Sequence, residues 1–163
     1  MSRTLSLRNR QRVRRVATPL LRRITLHLLD RELGIRSFEL AIHLVAAKEM
    51  ARVNWDFLQH EGSTDVITFD HLEAQTDFST LHGELFICLD DAVKQAREFG
   101  STWQDELARY VIHGLLHLCG HDDLAPGPRR TMKREENRLL RVVEREFNLR
   151  QLAARAPAAT SRT

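Results

Sequence analysis

The segment 112–123, which reads IHGLLHLCGHDD, places the strongest constraint on how this chain can fold. His113 and His117 are four residues apart in a stretch with helical apolar spacing, so they should lie one above the other on the same helix face. Gly120 can end that helix in a left-handed conformation and turn the chain back towards the two imidazoles. The spacing therefore predicts a metal site on a helix in the C-terminal half and on the turn after it.

A donor from that turn would complete a three-ligand site with an open fourth position, as in catalytic zinc sites. Asp123 is favoured, because it lies six residues after His117, at the offset that metal-binding turns of this kind use. His121 is the alternative third ligand but needs a tighter turn, and Asp122 is less favoured than either. The two histidines could instead be core residues that bind no metal. The pair, the glycine and the donors after it favour one Zn²⁺ per chain.

Gly114 stands directly after the first histidine, where zinc peptidases carry the glutamate that serves as general base. Its presence argues against a peptidase and predicts close packing of the helix, or close approach of a substrate. Water activation is then left to the metal alone or to an acid elsewhere in the chain. By chemistry alone the candidates are Asp65, Glu84 and Asp122, although each could equally be a surface or capping residue.

Apolar periodicity predicts the remaining elements. Strands are expected at 5–8, 38–45, 64–69 and 83–89, and helices at 18–34, 46–58, 90–100, 103–119 and 129–149. Polar segments predict a loop at 70–80 and a turn at 126–128. We therefore expect a single compact α+β domain at 1–150, with a small mixed sheet covered by helices. Small and polar residues predict a disordered tail at 151–163.

The net charge of +3 is unevenly distributed, because residues 1–29 contain eight arginines and no acidic residue. Such a stretch can be an organelle transit peptide, a phosphate-binding surface that includes Arg12, Arg14 and Arg15, or a solvated face without a partner. Thr18 followed by Pro19 favours an ordered helix start in this region. The two cysteines favour a reducing compartment, and no apolar run is long enough for a membrane span.

HGLLHLCGHDD at 113–123 resembles the His-Gly-x-Leu-His-Leu-x-Gly-Tyr-Asp-His signature of the YbeY family of metal-dependent endoribonucleases, which act in ribosomal RNA maturation. Further segments resemble family motifs in the same order: SLRNRQ from Ser6, Asn54 followed by STDVITF at 63–69, and GEL at 83–85. The similarity extends from about Ser6 to Phe147. It makes the arginine-rich N-terminus part of the domain rather than a transit peptide.

The resemblance implies a cytoplasmic hydrolase that cleaves single-stranded RNA near the 3′ end of 16S rRNA. The implied partners are rRNA and the small ribosomal subunit, with ribosome-assembly proteins as further candidates. Arg12, Arg14 and Arg15 would then bind RNA. Leu58 stands where the family usually has Arg, and His121 and Asp123 replace the Tyr and the last His of the signature. Leu58 and Asp123 favour the alternative hypothesis, a catalytically weak or inactive RNA-binding assembly factor with a structural metal site. A different metal hydrolase is a third hypothesis.

Overall fold

The computed structural model describes residues 2–72 and 79–155, and it contains a four-stranded sheet and five α-helices. The strands are β1 (Arg3–Asn9), β2 (Ser37–Val45), β3 (Val66–Asp70) and β4 (Thr80–Cys88). The helices are α1 (Thr18–His27), α2 (Ala47–Leu58), α3 (Leu89–Phe99), α4 (Trp103–Leu118) and α5 (Pro126–Glu146). Short helical turns follow α1 at Leu28–Glu32 and α5 at Leu149–Leu152.

The sheet has the strand order β1-β2-β4-β3. β1, β2 and β4 are parallel, and β3 runs antiparallel to β4 at one edge. The predicted α+β class and mixed sheet are therefore confirmed. Side chains alternate along β4, so that Leu81, Leu85 and Ile87 belong to the main core, while Glu84 and Phe86 face the opposite side of the sheet.

Helix α4 is the centre of the core, with contacts to α3, α5, β3 and β4. Its side chains are buried on almost every side, as at Leu107, Val111, Ile112 and Leu115. The helix begins as the sequence predicts, because the Thr102 Oγ1 accepts a hydrogen bond from the Asp105 backbone N–H at 3.1 Å. A helix held on so many sides provides a rigid support for the two histidines near its end.

Two glycines allow α4 to pack closely on the sheet. A Cβ atom at Gly114 would lie 2.7 Å from the Leu85 Cδ2, so the close packing predicted for this position is confirmed. A Cβ atom at Gly83 would lie 2.5 Å from the carbonyl oxygen of Phe69 and 2.8 Å from the Leu118 Cδ2. The absence of both side chains therefore sets the distance between α4 and β4.

Several element boundaries differ from the sequence-based predictions. Helix α5 begins at Pro126, within the predicted turn, because proline tolerates the first helical turn, where the backbone N–H needs no partner. β4 begins at Thr80 rather than 83, because its first residues extend the parallel pairing with β2. Of the loop predicted at 70–80, residues 73–78 lie outside the described part of the chain.

The packed chain continues past residue 150, four residues further than the predicted domain boundary. Leu152 is buried, Ala153 pairs with Val16, and the Ala154 N–H donates to the Arg15 carbonyl at 3.0 Å. The later residues of the predicted tail, 156–163, lie outside the described residues. Among the described helices, none has the length and apolar character needed to cross a membrane.

We predict that Gly83→Ala lowers the free energy of unfolding by about 1–3 kcal/mol, because the added methyl group meets the backbone of β3 and the Leu118 side chain. Gly127→Ala is the matched control, since a Cβ added there would meet no atom within 4 Å and alanine favours a helix. Urea denaturation measures both variants. Equal stability of Gly83→Ala and the unsubstituted protein would contradict the packing argument.

Candidate metal centre

Three side chains converge at the end of α4 with the geometry of a metal site. One ligand atom from each of His113, His117 and Asp123 lies within 4.8 Å of the others. The two Nε2 atoms are 3.1 Å apart, and the Asp123 Oδ2 lies 3.7 Å and 3.5 Å from them. A tetrahedral ion with bonds of 2.0–2.2 Å holds its ligand atoms roughly 3.3 Å apart. The spacing therefore fits a small metal ion bound by two imidazoles and a carboxylate.

The turn after α4 brings Asp123 to the histidines. Gly120 adopts a positive φ of 95°, its N–H donates to the His117 carbonyl, and the His121 N–H donates to the Leu116 carbonyl. These two bonds form a Schellman motif, in which the residue at the glycine position takes the left-handed conformation. The chain consequently reverses, and Asp123 reaches the side of the helix that carries the histidines.

Hydrogen bonds at Nδ1 direct both Nε2 atoms towards a common point. The His117 Nδ1–H donates to the His121 carbonyl at 3.1 Å, and the His113 Nδ1–H donates to the Glu136 carboxylate at 3.0 Å. A neutral imidazole with its proton on Nδ1 keeps a lone pair on Nε2. The two Nε2 atoms lie 3.1 Å apart, where they can share one proton in a hydrogen bond or bind one metal ion together. The tautomers thus favour metal coordination.

Glu136 is the site residue that the sequence analysis missed. Its carboxylate is buried in α5 and also accepts hydrogen bonds from Arg109 at 2.8 Å and Lys133 at 3.4 Å. Burial alone would raise the pKa of Glu136, but the hydrogen bonds from His113 and Arg109 and the nearby charges lower it to about 2. An ionised carboxylate therefore supports His113. One signal was available: Glu136 falls on the apolar face of α5, with Met132 and Leu139.

The His113 imidazole is basic for a buried group. Burial lowers its pKa, but the Glu136 hydrogen bond and the charges of Glu136, Asp65 and Asp123 raise it above its ordinary value overall. A more basic imidazole is a stronger metal ligand, and metal binding must displace any proton that it carries.

His121 and Asp122, the less favoured ligand candidates, are used elsewhere. The His121 carbonyl accepts the His117 hydrogen bond, while its imidazole interacts with the charge of Glu135 on α5. The Asp122 Oδ1 accepts a hydrogen bond from the Leu124 N–H at 2.9 Å, which stabilises the turn. Among the described residues, the group with metal-ligand spacing therefore contains Asp123 and neither of these two.

Of the other acids proposed as a base, Asp65 lies at the site. It precedes β3 and lines the same cleft as His113 and Asp123. The Val66 N–H donates to its Oδ1 at 2.7 Å, which fixes the carboxylate. Glu84 lies on the face of the sheet away from α4, bonded at 2.9 Å to the imidazoles of both His43 and His71. The structure does not bring Glu84 to the three candidate metal ligands.

The candidate metal ligands border a cleft of about 540 Å³ between α4, α5 and the end of α3. Besides the acids, its walls offer three cationic side chains, two aromatic rings and two neutral polar groups: Arg109, Arg129, Lys133, Phe99, Tyr110, Gln95 and Ser101. Such a cleft has room for a nucleotide, with cations available for phosphate oxygens.

The three arginines predicted to bind RNA lie in the connection between β1 and α1. Gln11 orders this segment: its Nε2 donates to the Asn9 Oδ1 and to the Arg14 carbonyl, both at 2.8 Å. Arg12 and Arg15 are exposed and Arg14 is half-buried. None of the three lines the metal cleft, so they would bind a separate part of an RNA.

The family model described as Endoribonuclease YbeY matches residues 6–144. The chain belongs to the YbeY family. The Endoribonuclease YbeY of Bacteroides thetaiotaomicron is 42% identical over 107 residues, which cover 66% of this chain and 75% of that protein. The Endoribonuclease YbeY of Salinibacter ruber is 34% identical over 128 residues, which cover 76% of this chain and 81% of that protein.

A solved structure shares the fold of this YbeY family member. The solution structure of TM1509 from Thermotoga maritima superimposes with a TM-score of 0.64, covering 95% of this chain and 99% of that one. The two sequences are 23% identical, so this comparison concerns the fold alone.

We predict that His113→Ala and Asp123→Ala each lose bound metal, whereas His121→Ala retains about one ion per chain, because its imidazole lies outside the group. Elemental analysis of the three purified variants, after dialysis against a weak chelator, gives the stoichiometry. Loss of metal in His121→Ala with retention in Asp123→Ala would show that the third ligand is wrong.

We also predict that Glu136→Gln weakens metal binding about 10-fold to 100-fold, because the amide no longer holds His113 as a carboxylate does. Glu135→Gln is the matched control, because it neutralises the preceding residue of α5, whose carboxylate pairs with Arg138 at 2.9 Å. Chelator competition measures both affinities, and a thermal melt checks that each variant is folded. Equal metal affinities of the two variants would remove Glu136 from the site.

Proposed function

We propose that this chain is a zinc-dependent endoribonuclease that cleaves single-stranded RNA during rRNA processing. The observation that carries the proposal is the convergence of two imidazole Nε2 atoms and the Asp123 carboxylate on one point beside a nucleotide-sized cleft. The relatives named Endoribonuclease YbeY support the same reaction. Nitrogen and carboxylate donors are ligands that Zn²⁺ accepts readily.

The residues of the site would have separate roles in phosphodiester cleavage. His113, His117 and Asp123 would hold the ion, which when bound supplies a Lewis acid for phosphate oxygens and makes water more acidic. Glu136 orients His113, and Arg109 and Lys133 keep Glu136 ionised.

The three neighbouring cations of the cleft would bind the phosphates on either side of the scissile bond. Asp65 is the acid best placed to accept the proton of the attacking water, since it lines the cleft with two of the metal ligands. We favour attack by water over attack by the 2′-hydroxyl of the RNA, with Asp65 as the residue that would take the proton of that water.

The substrate that we propose is the small-subunit rRNA, with late maturation of the 16S 3′ end as the processing step, in the cytoplasm. The small ribosomal subunit and ribosome-assembly proteins would be its partners. This assignment follows from the family alone. It predicts that structured rRNA fragments with single-stranded ends are better substrates than unrelated RNA.

A second candidate function is that of an RNA-binding assembly factor with a structural metal and little nuclease activity. The observation in its favour is Leu58, which ends α2 at the position where the family usually carries Arg. Leu58 is 44% exposed, next to Phe57 at 66% and near Trp55 at 50%. An apolar surface here offers protein or base contacts and no phosphate ligand.

A cleavage assay on single-stranded RNA separates the two functions. We expect the zinc-loaded protein to cut the RNA internally, and both His117→Ala and chelator treatment to lower the rate at least 100-fold, because each removes the Lewis acid. Asp65→Asn should slow cleavage with unchanged metal content. Metal-loaded protein that binds RNA without cutting it would favour the assembly factor.

The same assay identifies the nucleophile when the scissile nucleotide is replaced by its 2′-deoxy analogue. Continued cleavage at a similar rate is expected for attack by water. Complete loss of cleavage with binding intact, together with a 2′,3′-cyclic phosphate on the normal product, would instead assign the role to the RNA's own hydroxyl.

RNA binding should also depend on the segment between β1 and α1. We predict that replacing Arg12, Arg14 and Arg15 together by Gln weakens binding and flattens its salt dependence, because fewer counterions are released from phosphates. Fluorescence anisotropy at several salt concentrations gives both the affinity and the slope. If neither changes, these arginines do not bind the RNA.

A further inference from the structure

The outward face of α5 carries a stripe of arginines. Their spacings are four, four, three and four residues, which at 100° per residue place all five within an arc of about 80°. All are exposed, and the stripe consists of Arg130, Arg134, Arg138, Arg141 and Arg145. From its first arginine to its last it extends over roughly 22 Å of helix. The buried face of α5, which includes Met132, Leu139 and Val143, lies on the opposite side.

This stripe differs from an ordinary solvated helix face. Exposed helices usually alternate acids and bases, because opposite charges at i and i+4 stabilise the helix and like charges destabilise it. Here the four acids of α5 all fall outside the arc: Glu135, Glu136, Glu144 and Glu146. Within the described chain, Arg138 is the one member that forms an ion pair, with Glu135 and Glu32. Concentrating like charges costs helix stability, which an anionic partner would offset.

We propose that the arginine stripe binds the phosphate backbone of a structured RNA, outside the metal cleft. Guanidinium groups bind phosphate oxygens in pairs of hydrogen bonds, and a row of them displaces condensed counterions. An anionic membrane fits less well, because interfacial helices insert an apolar face and that of α5 is packed into the core. The choice of RNA rests on the proposed endoribonuclease function.

The position of the stripe determines how long an RNA must be to contact the stripe and the metal cleft together. Glu136, which bonds His113, lies about 160° around α5 from the middle of the stripe at 100° per residue. An RNA that contacts both the arginine stripe and the metal cleft must therefore pass around α5. The stripe should matter for a long, structured rRNA fragment and not for a short oligonucleotide that fills only the cleft.

The test replaces Arg130, Arg134, Arg141 and Arg145 by Gln and leaves Arg138 in its ion pairs. A control with the same change of charge replaces four exposed arginines scattered over other elements: Arg22, Arg31, Arg52 and Arg97. Both sets are made in a His117→Ala background, so that RNA binding is measured without cleavage. The probe is a structured rRNA fragment, and vesicles containing phosphatidylserine form a second arm.

We expect the stripe variant to bind the rRNA fragment at least 10-fold more weakly than the control variant at low salt. Its slope of log affinity against log salt should be smaller by about 3, since each lost phosphate contact removes roughly 0.7 to 0.9. Its melting temperature should be unchanged or higher, because the like charges have been removed. In the background with His117 intact, cleavage of a short oligonucleotide should be unchanged.

Two results would overturn the proposal. The first is equal affinity and equal salt slope for the stripe and control variants. The second is loss of vesicle binding in the stripe variant with rRNA binding retained, which would assign the stripe to a membrane. Failure of the proposed function would look different: no RNA would be cut by the zinc-loaded protein, while loss of rRNA binding in the stripe variant would still support the stripe.

Discussion

The close contact between α4 and β4 determines the geometry of the whole site. Gly114 lies against Leu85, and Gly83 lies against the Phe69 carbonyl and Leu118, so helix and sheet approach without intervening side chains. α4 is then enclosed by the sheet, α3 and α5. Enclosure fixes the direction of the histidines at its end, and it leaves α5 close enough for Glu136 to reach His113. A side chain at either glycine would move the helix and with it both imidazoles.

Charge balance within the site follows from this packing. An isolated buried carboxylate would favour protonation, but Glu136 has Arg109, Lys133 and His113 as partners and stays ionised. Its negative charge raises the basicity of His113, and Asp123 adds a second negative charge at the ligand position. Two carboxylates beside two neutral imidazoles suit a divalent cation. The arginines that the site does not use lie outside the cleft, on the surface, where they can contact a longer polyanion.

The local parts of this arrangement could be predicted from the sequence, and the long-range parts could not. His113, His117 and Gly120 lie within eight residues, so helix periodicity and a glycine cap are enough to predict their relative positions. The four strands were predicted from alternating or continuous apolar segments of strand length. Glu136 depends instead on how α5 packs on α4, and nothing local marks it apart from its place on the apolar face of α5.

Glu84 is a second residue whose place could not be predicted from local sequence, in this case because the fold keeps it away from the site. Its chemistry suits a base, but strand alternation turns it to the far face of the sheet, where His43 and His71 bind it. The start of α5 at Pro126 was missed because proline and glycine favour turns as well as first helical turns. The expected reaction came from the family resemblance, whereas the residues that surround the candidate metal ligands could be identified only in the folded structure.

The X-ray absorption spectrum of the zinc-loaded protein at the metal edge tests the central claim most directly, because it reports the ligand atoms themselves. We predict two imidazole nitrogens and oxygen donors at about 2.0–2.2 Å, with no sulfur, and loss of one oxygen donor or of the metal itself in Asp123→Ala. A spectrum with three imidazoles, or with a sulfur ligand at about 2.3 Å, would contradict the proposed centre.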